Sequence, residues 1–199
     1  MSNSNFSTDA LHVGHDVTKT QGTRAVPLYQ STSYVFNNAE HAANLFALAE
    51  PGYIYTRLNN PTTDVLEQRM AALEGGIGAL AVSSGSAAIN YAILTLAEAG
   101  DNIVSTPQLY GGTYTLFAHM LPKLGIEVRF AQDDSPASLA ALIDEKTKAV
   151  FCESIGNPAG NIIDLEAVAA VAHAGCVPLI VDNTVAPPAL CKPISFGAD

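Results

Sequence analysis

From residue 79 onward, short apolar segments alternate with stretches of helical periodicity, and no other feature restricts the fold of this chain as tightly. The pattern predicts strands at 79–82, 102–105, 127–130, 149–153 and 178–181. Helices are predicted at 86–96, 113–121, 136–143 and 165–174. Strands separated by whole helices cannot pair as tight hairpins and instead imply a mostly parallel sheet covered on both faces. The fold class is therefore α/β, with a mostly parallel sheet sandwiched by helices. With 48% hydrophobic and 14% charged residues in 199, the chain can bury a large core, and extensive subunit interfaces are expected.

The first 59 residues lack that alternation. They hold Ser, Asn, Thr and Gly, with one helix predicted at 40–48 and stopped by Glu50-Pro51-Gly52. Their Tyr, Phe and Val content is not that of a disordered tract. An extended arm wrapping another surface, such as a second subunit, fits better. From Asn60 the pattern becomes regular, with a helix at 64–73 stopped by Glu74-Gly75-Gly76. The expected organisation is thus an inter-subunit arm at 1–59 and an α/β domain at 60–199.

A net charge of −10, with nine scattered Lys and Arg, argues against nucleic acid and anionic membranes as partners. Cys152, Cys176 and Cys191 form no CxxC pair, which suits a reduced, cytoplasmic protein better than a disulfide framework or a zinc site. Residues 1–20 lack the apolar core of a signal peptide, and no apolar run reaches membrane-spanning length. His12 and His15 have no third ligand nearby in sequence and read as surface or packing residues, so no metal is expected.

In parallel sheets ligands collect at the carboxyl ends of strands. The first such end carries Ser83-Ser84-Gly85-Ser86 and leads into a helix. Unpaired amides and the helix dipole suit a phosphate there, with hydroxyls from Ser84 and Ser86 and a close approach at Gly85. An ordinary serine cap is the competing reading. Tyr110, followed by Gly111 and Gly112 in a loop, offers a ring for stacking and a phenol for proton transfer. Asn157, held extended by Pro158, is able to donate to a ligand oxygen or form an Asx turn. Asp182 ends an apolar strand and needs a partner, either a cap or a protonated ring nitrogen, beside Thr184. In the arm, Tyr55 and Arg57 stand two apart, so an extended backbone would point both the same way, toward a phosphate.

Taken together, Tyr55-Thr56-Arg57 with Asn60-Pro61-Thr62, Ser84-Gly85-Ser86, Tyr110-Gly111-Gly112-Thr113, Glu153 through Asn157-Pro158, and Asp182-Asn183-Thr184 resemble the Cys/Met-metabolism family of pyridoxal-phosphate (PLP) enzymes. The resemblance implies fold type I, an aspartate-aminotransferase-like sheet. It implies that Gly85 and Ser86 hold the cofactor phosphate. Tyr55 and Arg57 would reach that phosphate from a neighbouring subunit of a homo-oligomer, typically a tetramer. It further implies that Tyr110 stacks on the ring and assists proton transfer, that Asn157 bonds the phenolate oxygen, that Asp182 pairs with the ring nitrogen, and that Thr184 supports that edge. Residues 26–36 and Tyr110-Gly111-Gly112-Thr113-Tyr114 look most like the O-acetylhomoserine sulfhydrylases, which join a sulfur donor to an amino-acid substrate and form homocysteine. Cystathionine γ-synthase and the methionine or cystathionine γ-lyases are the alternatives, although methionine γ-lyases usually carry Cys at the position of Gly112. A non-catalytic nucleotide-binding module of Rossmann type would need a glycine fingerprint after the first strand, whereas Gly75-Gly76-Ile77-Gly78 precedes it. The family's Schiff-base lysine is expected beyond Asp199, in a C-terminal remainder. Residues 1–199 alone are expected to be inactive.

Overall fold

The computed structural model describes residues 5–199 and divides into two compact units, Met1–Ala81 and Val82–Asp199. The second unit is built on four strands, β1 (Asn102–Ser105), β2 (Glu127–Phe130), β3 (Thr147–Glu153) and β4 (Leu179–Asp182). All neighbours are parallel, in the order β2-β1-β3-β4. Alternation along the strands sorts the core into two halves. Ile103, Ala149 and Phe151 pack with Ile93, Phe117 and Leu121 on one face. Val104, Val150 and Cys152 pack with Leu139, Val168 and Leu179 on the other. Ile93 comes from α4 (Gly85–Leu96), Leu139 from α6 (Pro136–Ala140) and Val168 from α7 (Leu165–Ala174), whereas Phe117 and Leu121 follow α5 (Gly111–Thr115) and Leu179 belongs to β4 itself.

Several boundaries differ from the sequence expectation. The segment 79–82 forms no strand, and Leu80 is 73% exposed. A strand exists only with a ladder partner, and no described backbone pairs with this segment. The helix expected at 113–121 starts at Gly111 and continues past Thr115 as a wider π-type turn (Leu116–Met120) and a 3-10 turn (Leu121–Leu124). Helix α6 ends at Ala140, short of the expected 143.

The first unit contains α1 (Phe6–His12), a 3-10 turn (Val17–Thr20), α2 (Ala39–Phe46) and α3 (Pro61–Glu74). The first two were not expected, although Asn5 caps α1 through its side chain, which accepts the N–H of Ser7 at 3.0 Å. Helix α3 starts at Pro61 because Asn60 is its cap and proline fits the first helical position. It packs against α1, so it belongs with the N-terminal segment.

Candidate functional site

A cavity of about 340 Å³ opens at the carboxyl edge of the sheet in the second unit. Strand β1 has β2 on one side and β3 on the other, so the chain reverses direction across the sheet at this point, where open parallel sheets form their ligand crevice. Helix α4 contributes Ser84, Gly85 and Ser86, the turn after β1 contributes Tyr110, and α5 contributes Thr113. The end of β3 contributes Glu153 and Asn157, and the end of β4 contributes Asp182 and Thr184. All seven sequence-predicted residues of this unit therefore line one cavity.

At α4, Ser84 is the N-cap, and its Oγ accepts the N–H of Ala87 at 3.1 Å. Its carbonyl accepts the N–H of Ala88 at 3.0 Å. The preceding amides, of Gly85 and Ser86, have no acceptor in the helix and point to the open end of a twelve-residue dipole. Gly85 does not use a left-handed conformation. What it provides is space, because an added Cβ would meet nothing within 4 Å.

Tyr110 is not in a loose glycine loop. It is the N-cap of α5, with Gly111 and Gly112 already helical and the side chain half exposed. An added Cβ at Gly112 would stand 2.5 Å from Cε1 of the Tyr110 ring, so the glycine is required for the ring to lie where it does. The peptide bond between Asn157 and Pro158 is cis. Gly156 closes that loop with its N–H donating to the carbonyl of Asn161 at 3.0 Å. An added Cβ there would collide with the Asn161 side chain and stand 3.0 Å from the Gln108 carbonyl, so the loops after β1 and β3 abut.

Asp182 takes the capping partner foreseen for it. Its Oδ1 accepts the N–H of Thr184 at 3.1 Å and also the Thr184 hydroxyl, which leaves Oδ2 with no partner among the described residues. Sequence reasoning gave no role to three neighbours. Glu153 is 4% exposed, and burial pushes its carboxyl up from the ordinary value against the lowering effect of two amide donors. Ser154 donates from Oγ to Oδ1 of Asn183 at 2.7 Å, and Asn183 donates onward to the Cys191 carbonyl at 3.0 Å. The signals for Glu153, Ser154 and Asn183 were their place at or just after the ends of buried strands and their membership of the motifs that carry the family resemblance, neither of which assigns them a role.

Tyr55 and Arg57 lie in the first unit. The expected extended geometry fails because Arg57 sits in a turn after the bridge between Ser33 and Tyr55. Its guanidinium instead lies over the Tyr55 ring, 5.2 Å from the centroid, at the rim of an open concavity shared with residues 29–32.

Residues 7–199 match the family model described as Cys/Met metabolism PLP-dependent enzyme. The homocysteine synthase of Schizosaccharomyces pombe is 56% identical over 195 residues, covering 98% of this chain and 46% of that protein. The O-acetyl-L-homoserine sulfhydrylase 1 of Thermus thermophilus is 57% identical over 195 residues, covering 97% and 46%. Among solved structures, an O-acetylhomoserine (thiol)-lyase of Campylobacter jejuni, crystallised with an N′-pyridoxyl-lysine-5′-monophosphate, superposes with a TM-score of 0.96 at 46% identity. It is matched over 99% of this chain and 49% of its own. The chain thus spans about half the length of the relatives it matches.

Proposed function

The chain belongs to the Cys/Met-metabolism family of PLP-dependent enzymes, and from that premise we propose that the cavity at the sheet edge holds pyridoxal phosphate. The residues fit such a group. Ligand pockets start at roughly 300 Å³, and this one is about 340 Å³. The amides of Gly85 and Ser86, with the hydroxyls of Ser84 and Ser86, supply donors for a phosphate. Oδ2 of Asp182 is left to pair with a protonated ring nitrogen, while Thr184 holds Oδ1. Tyr110 offers its ring for stacking, and Asn157 has a side-chain amide to offer a phenolate oxygen. The convergence of Ser84–Ser86, Tyr110, Asn157 and Asp182 on one cavity carries the reading.

The proposed activity of the whole protein is γ-replacement on O-acetyl-L-homoserine with a sulfur nucleophile, giving L-homocysteine. When bound, pyridoxal phosphate withdraws electrons from the α-carbon of an amino acid, the chemistry such a replacement needs. The chain's part is to keep the charges in register. Asp182 favours a positive ring nitrogen, and the helix end offsets a dianionic phosphate. Tyr110, half exposed at the cavity, is placed to accept or return a proton through its phenol.

No lysine is among the described residues lining the cavity, and the reading places the lysine that would attach the cofactor in a segment outside residues 1–199. It also includes a homotetramer in which Tyr55 and Arg57 reach a partner's phosphate, supported by their exposure on an open concavity. A cytoplasmic location is part of the same reading, supported by three free cysteines.

The test is to titrate the full-length protein with pyridoxal phosphate and follow the visible absorption band. It is then assayed on O-acetyl-L-homoserine with sulfide, and separately on methionine and cystathionine alone. Band formation with homocysteine as product is the expected result. Absence of the band rejects the cofactor assignment. Turnover of methionine or cystathionine without O-acetyl-L-homoserine turnover replaces the sulfhydrylase with a lyase.

A further inference from the structure

We propose that Glu153 is a positioning residue that sets Tyr110 and Asn157 against the cavity by gripping both of their backbones at once. The inference rests on the functional reading above, in which those two side chains face the cofactor. Glu153 ends β3 and stands in register with Asp182 at the end of β4. Its Oε1 accepts the N–H of Tyr110 at 2.6 Å, and its Oε2 accepts the N–H of Asn157 at 3.2 Å. One carboxylate thus spans the loop after β1 and the loop after β3, the two flanks of the crevice.

The side chain is almost wholly buried, and no lysine, arginine or histidine pairs with it among the described residues. Burying a carboxylate without a counter-ion is costly, and packing alone would be served better by an apolar side chain. Nearby Asp182 adds a second negative charge and helps to push the Glu153 carboxyl upward. What offsets these costs is the pair of charge-assisted bonds to amides, which neither an apolar residue nor an amide side chain reproduces. Glutamine has a single acceptor oxygen and would turn its own NH₂ group toward one of the two donors. The abutting loops at Gly156 and Gln108 show how little slack the arrangement has, because a methyl group at Gly156 would press on the Gln108 carbonyl.

The experiment compares wild type with Glu153→Gln in the full-length protein, using residue-resolved hydrogen exchange without cofactor. Exchange at Tyr110 or Asn157 should speed up by about tenfold or more, while Ile103 and Val104 in β1 keep their protection. With pyridoxal phosphate added, the variant's visible circular dichroism should differ from wild type, because the stacking ring and the phenolate donor are no longer fixed. If Glu153→Gln does not fold, Glu153→Asp is read in the same way, since it keeps the charge but cannot span both loops. Unchanged exchange at both residues overturns the proposal. So does equal acceleration across β1 and β3, which would mark Glu153 as a general packing group. If wild type takes up no pyridoxal phosphate, the functional reading fails, and the cofactor-free exchange comparison still decides whether Glu153 holds the two loops.

Discussion

The units Met1–Ala81 and Val82–Asp199 are held together by different means. In the second, aliphatic and aromatic side chains from both faces of a four-stranded sheet are removed from water, with Phe117, Phe151, Ile93 and Leu139 at 0% exposure. In the first, Leu45 and Leu73 are the only buried hydrophobics among the described residues, and Leu11, Leu28, Val35, Phe46 and Leu48 are exposed. Polar clasps do the holding there instead. Thr62 donates from Oγ1 to the Pro27 carbonyl at 2.8 Å and accepts the N–H of Tyr29 at 2.9 Å. Asn60 donates to the Tyr29 carbonyl at 2.9 Å and caps α3. Hydrophobic burial is spread over many atoms and scales with area, whereas a clasp is lost with one atom.

The sharpest way to break this comparison is to empty a core position in one unit and an exposed one in the other. Phe117 is fully buried, with its ring edge-on to Phe151 at 4.9 Å between centroids. Phe117→Ala should cost about 3–5 kcal/mol, read from hydrogen exchange in β1 and β3 of the full-length protein. Phe46 is 66% exposed and touches Phe36 edge-on, so Phe46→Ala should cost no more than about 0.5 kcal/mol in a dilute monomer. Equal costs would mean that the first unit's apolar surface is covered in solution, as the proposed tetramer requires.

A smaller effect should follow from the polar clasp. Asn60→Ala removes the cap that accepts the N–H of Thr62 and leaves the Tyr29 carbonyl short of a donor. The sum is about 2 kcal/mol, confined to the first unit. Limited proteolysis should speed up within residues 14–60 while fragments from 82 onward stay intact. Uniform loss across both units would erase the distinction drawn above.

This contrast also explains what could be read from the sequence. Strands β1 to β4 and helices α4 and α7 were legible because burial on both sheet faces imposes a pattern on every residue. Strand β1 and strand β2 fell at the predicted boundaries, as did α7. The polar and aromatic residues at the strand ends were legible as a set for the same reason, since topology alone brings them together. Glu153 passed unassigned because its role depends on two backbone amides, and backbone geometry leaves no trace in side-chain pattern. The segment at 79–82 misled because a short apolar run signals a strand without saying whether a partner exists. In the first unit, α1 and the turn holding Arg57 depend on single caps and clasps, which periodicity does not report.

pH should disturb the two units from opposite ends. In the first, Tyr53 donates to Oδ2 of Asp64 at 2.9 Å, and burial, then that bond, push its phenol up to about 12. An unfolded tyrosine ionises near 10, so the stabilisation is fully present below that value and is lost between about 10 and 12. In the second, Asp144 is held well below the usual carboxylate range by Arg129, whose Nη1 lies 2.7 Å away, and then by Asn102. That contribution is present above the unfolded carboxylate value of about 4 and fades as the pH falls below it. Tyr53→Phe should remove one late-titrating phenolate from the absorbance curve and flatten the alkaline loss of structure in the first unit. Asp144→Asn should instead flatten the acid dependence of exchange at Asn102 and Thr147, which share its hydrogen-bond network. The bond that each group makes is partly open to water, so these effects are the smallest of the set. If Tyr53→Phe changed the acid limb, or Asp144→Asn the alkaline one, the two units would not be stabilised separately.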